Sequence, residues 1–170
     1  CRANSALEDF LHPDRVIIGK CCNNHAEMVK EMFEPFNAPI FITDSTKSEF
    51  VKTISNSILA LYISYWNELN ALMTRLNIDT KEVANMVTSD KRISKYGSGY
   101  YGPYMGRCLP KDTHNLLKLW DTCMGYPPVI MSGVETTNLK LLTTNDKASL
   151  YPSGSNTPSK YDTFRALKNK

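Results

Sequence analysis

No apolar run in this 170-residue chain approaches the roughly 20 residues that a membrane span requires, and its first residues do not read as a signal peptide. A soluble, intracellular protein of the cytoplasm is the expectation. Excess charge of one sign is also missing. The formal net charge is only +3 and the Lys and Arg residues are scattered, without the basic stripe that nucleic-acid binding needs. There is no disulfide framework either. The five cysteines, Cys1, Cys21, Cys22, Cys108 and Cys123, are odd in number and irregularly spaced, in a chain large enough to fold without staples. Reduced thiols are expected. The three histidines, His12, His25 and His114, lie far apart and share no evident ligand spacing with a cysteine pair, so no metal site is expected. No internal repeat is present.

What the chain does have is 42% apolar residues, enough for a globular core of one domain, or of one domain with part of another. Because it opens on Cys1 rather than Met, it reads as a fragment. Residues 15–19 and 39–43 are short β-branched runs, and helical spacing around 26–33 lies between them, which predicts strand, helix, strand. Two strands make a poor sheet alone, so they are expected to be the tail of a larger α/β sheet.

From Ser45 the pattern changes. Ser45 or Thr46 can cap a helix, and Ile54, Ile58, Leu61, Tyr65, Leu69, Leu72 and Leu76 carry helical spacing to about residue 77. A helix of that length, roughly 48 Å, exceeds the needs of a small domain and predicts a partner. Asp79 is expected to cap a second helix through Val87, and Asp112 a third that runs to Cys123. Pro127 and Pro128 open a fourth, through Leu142. Beyond Thr143 the sequence thins into Ser, Thr, Asn, Pro and Lys, a disordered tail or linker.

Three features could carry chemistry. Residues 97–102 match a dinucleotide fingerprint letter by letter, but polar residues precede them and Pro103 follows, where a strand and a helix start are required. A plain glycine loop fits better. Lys52 and Asn56 lie four apart and so share a helix face; they are either solvated polar positions or a functional pair. Cys108 sits in a glycine-rich loop before a helix start, between Arg107 and Lys111. It is either a small buried hydrophobe or a nucleophile whose thiolate form those cations favour.

The run Gly106-Arg107-Cys108-Leu109-Pro110-Lys111-Asp112 resembles the cysteine motif of the UDP-glucose and GDP-mannose dehydrogenase family. In the family's order, Glu49 to Asn56 is similar to its Glu-x-x-Lys-x-x-x-Asn helix, Asn67 and Glu68 to its Asn-Glu pair, and Asp90 to Ile93 to its Asp-x-Arg-Ile segment. Residues 5–19 resemble the stretch that follows its Pro-Glu-Phe-Leu loop. Two positions depart from the pattern: Ala3 stands where many members carry a glutamate, and Met105 replaces the first of two glycines before the cysteine motif.

The resemblance implies a mainly α fold. Residues 1–44 would end a Rossmann-type NAD-binding domain, and 45–142 would form a helical central dimerisation domain like the C-terminal domain of 6-phosphogluconate dehydrogenase, with 143–170 as tail. It implies a homodimer through the long helix, a nucleotide-sugar substrate, with UDP-sugar favoured, and NAD as cofactor. The chemistry would be oxidation of a sugar C6 alcohol to the acid through a thiohemiacetal and a thioester on Cys108. Lys52 and Asn56 would stabilise the negative oxygen and Asp112 would orient water. Arg92 would reach the substrate across the dimer, with Gly106 and Lys111 among the substrate contacts. The rival expectation is a helical dimerisation module without catalysis. A third is a cysteine hydrolase using Cys108 and His114, for which the sequence offers no orienting residue.

Overall fold

The structure, a computed structural model, describes residues 5–144. Its described part is mainly helical, with one small sheet. A short helix, α1 (Ala6–Leu11), leads to β1 (Val16–Lys20), then α2 (Asn23–Phe33), a 3₁₀ turn at Glu34–Phe36, and β2 (Ile40–Asp44). The two strands are parallel and in register from Val16 opposite Ile40 to Lys20 opposite Asp44. That is the strand, helix, strand expected, displaced by one residue. Helix α1 was not anticipated. It is pinned by Phe10, whose ring lies 6.1 Å from Phe33 and 5.5 Å from Phe36, edge to face.

The rest is four helices: α3 (Ser45–Arg75), α4 (Thr80–Val87), α5 (Cys108–Met124) and α6 (Val129–Thr144). Helix α3 runs 31 residues without a break, so Lys52 and Asn56 do share one face. Its cap is Asp44, not Ser45 or Thr46. The Asp44 carboxylate accepts from the Lys47 N–H at 2.8 Å, because the last residue of β2 is the one still extended when the helix begins. At the other end Asn77 turns left-handed, and the N–H groups of Asn77 and Ile78 close on the carbonyls of Thr74 and Met73. Asp79 caps α4 as its sequence predicts, accepting from Lys81 and Glu82.

Helix α5 starts five residues earlier than expected. Asp112 is a buried residue of its second turn and caps nothing. Pro110 explains the difference: as the third helical residue, its missing N–H is one of the first-turn donors that have no helical acceptor anyway. The core lies where α3, α5, α6 and the 88–107 connection meet. Ala60, Ile63, Tyr104 and Val134 are buried there, with Leu61 and Leu109 against them. The expected tail falls almost wholly outside the described residues, as do Cys1 and Ala3. Among the described residues no helix is long and apolar enough to cross a membrane.

Candidate active site

The site is built where α3 and α5 pack along each other. Lys52 and Asn56 sit one turn apart on α3, as do Cys108 and Asp112 on α5. The two helices meet through a side-chain hydrogen bond across 56 residues of chain: Asn56 Nδ2 donates to Asp112 Oδ2 at 2.5 Å. The other carboxylate oxygen of Asp112 is paired with Lys111 Nζ. Burial alone would raise the Asp112 pKa. The hydrogen bonds from Lys111 and Asn56 and the charges of Lys111 and Lys52 together outweigh it and hold the carboxyl below its ordinary value. One buried carboxylate thus gathers an amide and two cations beside the first turn of α5. Asn56 has a second amide hydrogen, and Lys52 is exposed, so both keep donor capacity for a ligand.

Cys108 is the first residue of α5 and is exposed, so it is not the buried small hydrophobe. It is held by the connection before it. Asn67 of α3, buried, donates to the Gly102 carbonyl at 2.8 Å, and Tyr100 Oη donates to the Pro103 carbonyl at 2.8 Å. Asn138 of α6, also buried, grips both sides of Tyr104: its Oδ1 accepts from the Tyr104 N–H at 2.7 Å and its Nδ2 donates to the Tyr104 carbonyl at 3.1 Å. Gly106 then takes a left-handed conformation, φ 82°, and the chain enters the helix. Thr137 of α6 donates to Glu68 at 2.6 Å, so the Asn67 and Glu68 pair fastens both the loop and α6 to α3. Asn138 was missed in the sequence, where a polar residue within a helix gives no sign that it bonds a loop 34 positions away.

Against this geometry, the family model described as the central domain of the UDP-glucose/GDP-mannose dehydrogenase family matches residues 46–140. The chain belongs to that family. It is 38% identical over 122 residues to UDP-glucose 6-dehydrogenase YwqF of Bacillus subtilis, covering 69% of this chain and 27% of that protein. It is 34% identical over 143 residues to UDP-glucose 6-dehydrogenase TuaD of the same organism, covering 82% of this chain and 30% of the relative. A solved UDP-glucose dehydrogenase from Pyrobaculum islandicum superposes with a TM-score of 0.77 at 36% identity, over 82% of this chain and 32% of that one. The chain therefore spans about a third or less of the relatives it matches.

The resemblance implies a dinucleotide, and the glycine loop at residues 97–102 is the stretch whose sequence could cradle one. Those residues do not form one. Gly97, at φ 79°, turns the connection against α3, where an added Cβ would lie 3.1 Å from the Ile63 nitrogen. No strand precedes it and no helix opens at residues 97–102. The glycine-loop reading stands, and no cofactor residue is assigned.

Arg92 lies apart from the α3–α5 residues in its bonding. Its side chain is 88% exposed, and the guanidinium donates to Asp90 through Nε and Nη2, at 2.6 to 3.1 Å. Lys111 is engaged with Asp112, and Gly106 shapes the loop. His114 gains the orienting group that the sequence did not offer, since Nδ1 lies 3.1 Å from Glu135 Oε1. Yet His114 follows Cys108 by six helical residues, about 9 Å along the axis and about 120° around it, which separates the thiol from the imidazole. The hydrolase pair is not formed.

One reading from spacing needs correction. Cys21, Cys22 and His25 do form a cluster, their sulfur and nitrogen atoms all within 4.8 Å of one another. The available signal was Cys-Cys-x-x-His at a helix start, where residues three and four apart lie on one face.

Proposed function

We propose that this chain is the catalytic-core part of an NAD-dependent nucleotide-sugar 6-dehydrogenase, which oxidises the C6 alcohol of a UDP-sugar to the acid. The observation that carries the proposal is the Asn56–Asp112 hydrogen bond, with the Lys52 charge acting on the same carboxylate and Cys108 one turn away. The relatives named as UDP-glucose 6-dehydrogenases support the substrate class.

In this reading NAD, held outside the residues assigned here, would supply the hydride acceptor for both oxidations. The chain's own residues handle the covalent and proton chemistry. The Cys108 thiolate adds to the C6 aldehyde, forming the carbon–sulfur bond while the carbonyl π pair moves to oxygen. Lys52 and the second Asn56 N–H meet that oxygen as it gains charge, in a site whose donors are fixed before the reaction. Once C6 has reached the thioester level, Asp112, ionised and held by Asn56 and Lys111, orients the water that cleaves the carbon–sulfur bond and releases the thiolate. Gly106 and Lys111 line the approach, and Arg92 serves the site of a second subunit, with the exposed face of α3 forming the dimer. Residues 1–44 would then close an NAD-binding domain and 45–142 form the central domain. Cytoplasmic residence belongs to the same reading, since a thiolate nucleophile works in a reducing compartment.

The test is NAD reduction by the protein that carries this chain, with UDP-glucose, UDP-N-acetylhexosamines and GDP-mannose in turn. Turnover with one of them, lost in Cys108→Ser, is the expected result. A folded protein that reduces no NAD with any of the sugars would leave the helical dimerisation module as the better reading.

A further inference from the structure

The cysteine and histidine cluster lies away from the α3–α5 site, in the turn between β1 and α2. Cys21 follows the last residue of β1. Cys22 is the N-cap of α2, with extended backbone at φ −152° and ψ 165°, and its side chain makes no capping hydrogen bond. The sulfur is therefore not committed to the helix end. One turn on, His25 brings Nδ1 to 3.1 Å from Cys22 Sγ and 3.6 Å from Cys21 Sγ, and all three residues are exposed. Lys20, the nearest cation in sequence, donates to Asn23 Oδ1 at 2.8 Å.

These separations have a chemical meaning. With metal–sulfur bonds of about 2.3 Å and metal–nitrogen bonds of about 2.0–2.1 Å, a tetrahedral ion sets sulfur and nitrogen about 3.5 Å apart and two sulfurs about 3.8 Å apart. The two sulfur–nitrogen separations, 3.1 and 3.6 Å, already lie near that spacing and the two sulfurs lie within 4.8 Å of each other, so binding needs small rotamer adjustments at exposed positions. Two thiolates and an imidazole select a borderline-soft ion over calcium or magnesium, which take oxygen ligands. Two thiolates also balance a divalent charge.

We propose that Cys21, Cys22 and His25 bind one divalent ion of the zinc class, through both sulfurs and Nδ1, and leave a fourth position open to water or an added ligand. The site is independent of the dehydrogenase reading, because it shares no residue with Cys108 or its neighbours.

The test uses the full reduced chain, stripped by chelator and titrated with Co²⁺, which reports thiolate ligation by its charge-transfer band and tetrahedral geometry by strong visible bands. One equivalent should saturate both bands, and one equivalent of Zn²⁺ should bleach them. Cys22→Ser and His25→Ala should each weaken Co²⁺ binding at least tenfold, while Cys1→Ser, Cys108→Ser and Cys123→Ser leave it unchanged. Because the ligands are exposed, circular dichroism should show full helicity in every variant. Absence of a stoichiometric band, or a band that survives both Cys22→Ser and His25→Ala, overturns the proposal. So does mass spectrometry showing Cys21 and Cys22 joined as a disulfide under the reducing conditions used.

Discussion

Asp112 is the residue on which the α3–α5 site turns, and its charge state has a thermodynamic signature. Its folded pKa is depressed, so its ionised form contributes stability above the ordinary carboxylate value of about 3.9, and that contribution is lost as pH falls through the lower folded value. Asp112→Asn should therefore be less stable than the parent near neutral pH, with the gap in thermal midpoint narrowing below about pH 4. A constant gap across that range would mean that Asp112 is not ionised in the fold. Asn56→Ala removes the donor to one of the two oxygens of the same buried carboxylate and should cost about 1–3 kcal/mol in denaturant unfolding. Cys108 and Cys123 make an internal comparison at the same scale. Both are exposed, but Cys108 is the first residue of α5, at the helix end that favours negative charge, and Cys123 lies in its last turn, at the end that does not. Alkylation at neutral pH, read by mass spectrometry, should label Cys108 several-fold faster; equal rates would remove the support for Cys108 as the nucleophile. The Lys52 and Asn56 spacing and the cysteine motif were legible because each is local. The Asn56–Asp112 contact was not, since nothing in the chain states which faces of two helices so far apart in sequence will meet.

At the scale of elements, the stability of the cysteine loop rests on Asn138. Both hydrogen bonds to Tyr104 are buried, so Asn138→Ala leaves a buried backbone N–H and carbonyl without those partners and should cost about 1–3 kcal/mol. The same variant should make the loop more open to proteolysis near Gly106 while α3 remains helical. Unchanged stability and cleavage would show that Tyr104 is held by packing alone. The element order was readable from periodicity, and the length of α3 from its apolar spacing. Two starts were misplaced for a common reason. Cap preferences name candidate residues but not the point at which the backbone leaves its extended form, and at α3 the end of β2 decided that point. At α5, Asp112 offered itself as a cap residue, whereas the helix begins before Pro110, whose position in the first turn is compatible with it. Helix α1 carried too short a pattern to be distinguished, and its place depends on three phenylalanines meeting across the chain.

For the whole molecule, the two faces of α3 lead to an expected assembly. The residues that α3 buries within the chain include Ala60, Ile63, Trp66 and Asn67, on the side toward α5 and α6. The apolar stripe read from the sequence lies largely elsewhere: Ile54, Ile58, Tyr65, Leu72 and Leu76 are all exposed. At 100° per residue these five fall within an arc of about 40°, opposite the buried side, along about 33 Å of helix. Val129 and Ile130 at the start of α6 are more exposed still, at 87% and 69%. A continuous apolar strip of that length in water is unfavourable, and a second copy offers the same strip in return, so a symmetric pairing along α3 covers both at once. The chain should therefore scatter light as a dimer at micromolar concentration. Ile58→Asp combined with Leu72→Asp would place two charges in each copy of the strip, facing their counterparts across the pairing, and should shift the population to monomer with helicity retained by circular dichroism. A parent chain that remains monomeric at high concentration, or a double variant that dimerises as the parent does, would assign the strip to a different partner and remove the two-subunit site in which Arg92 was placed.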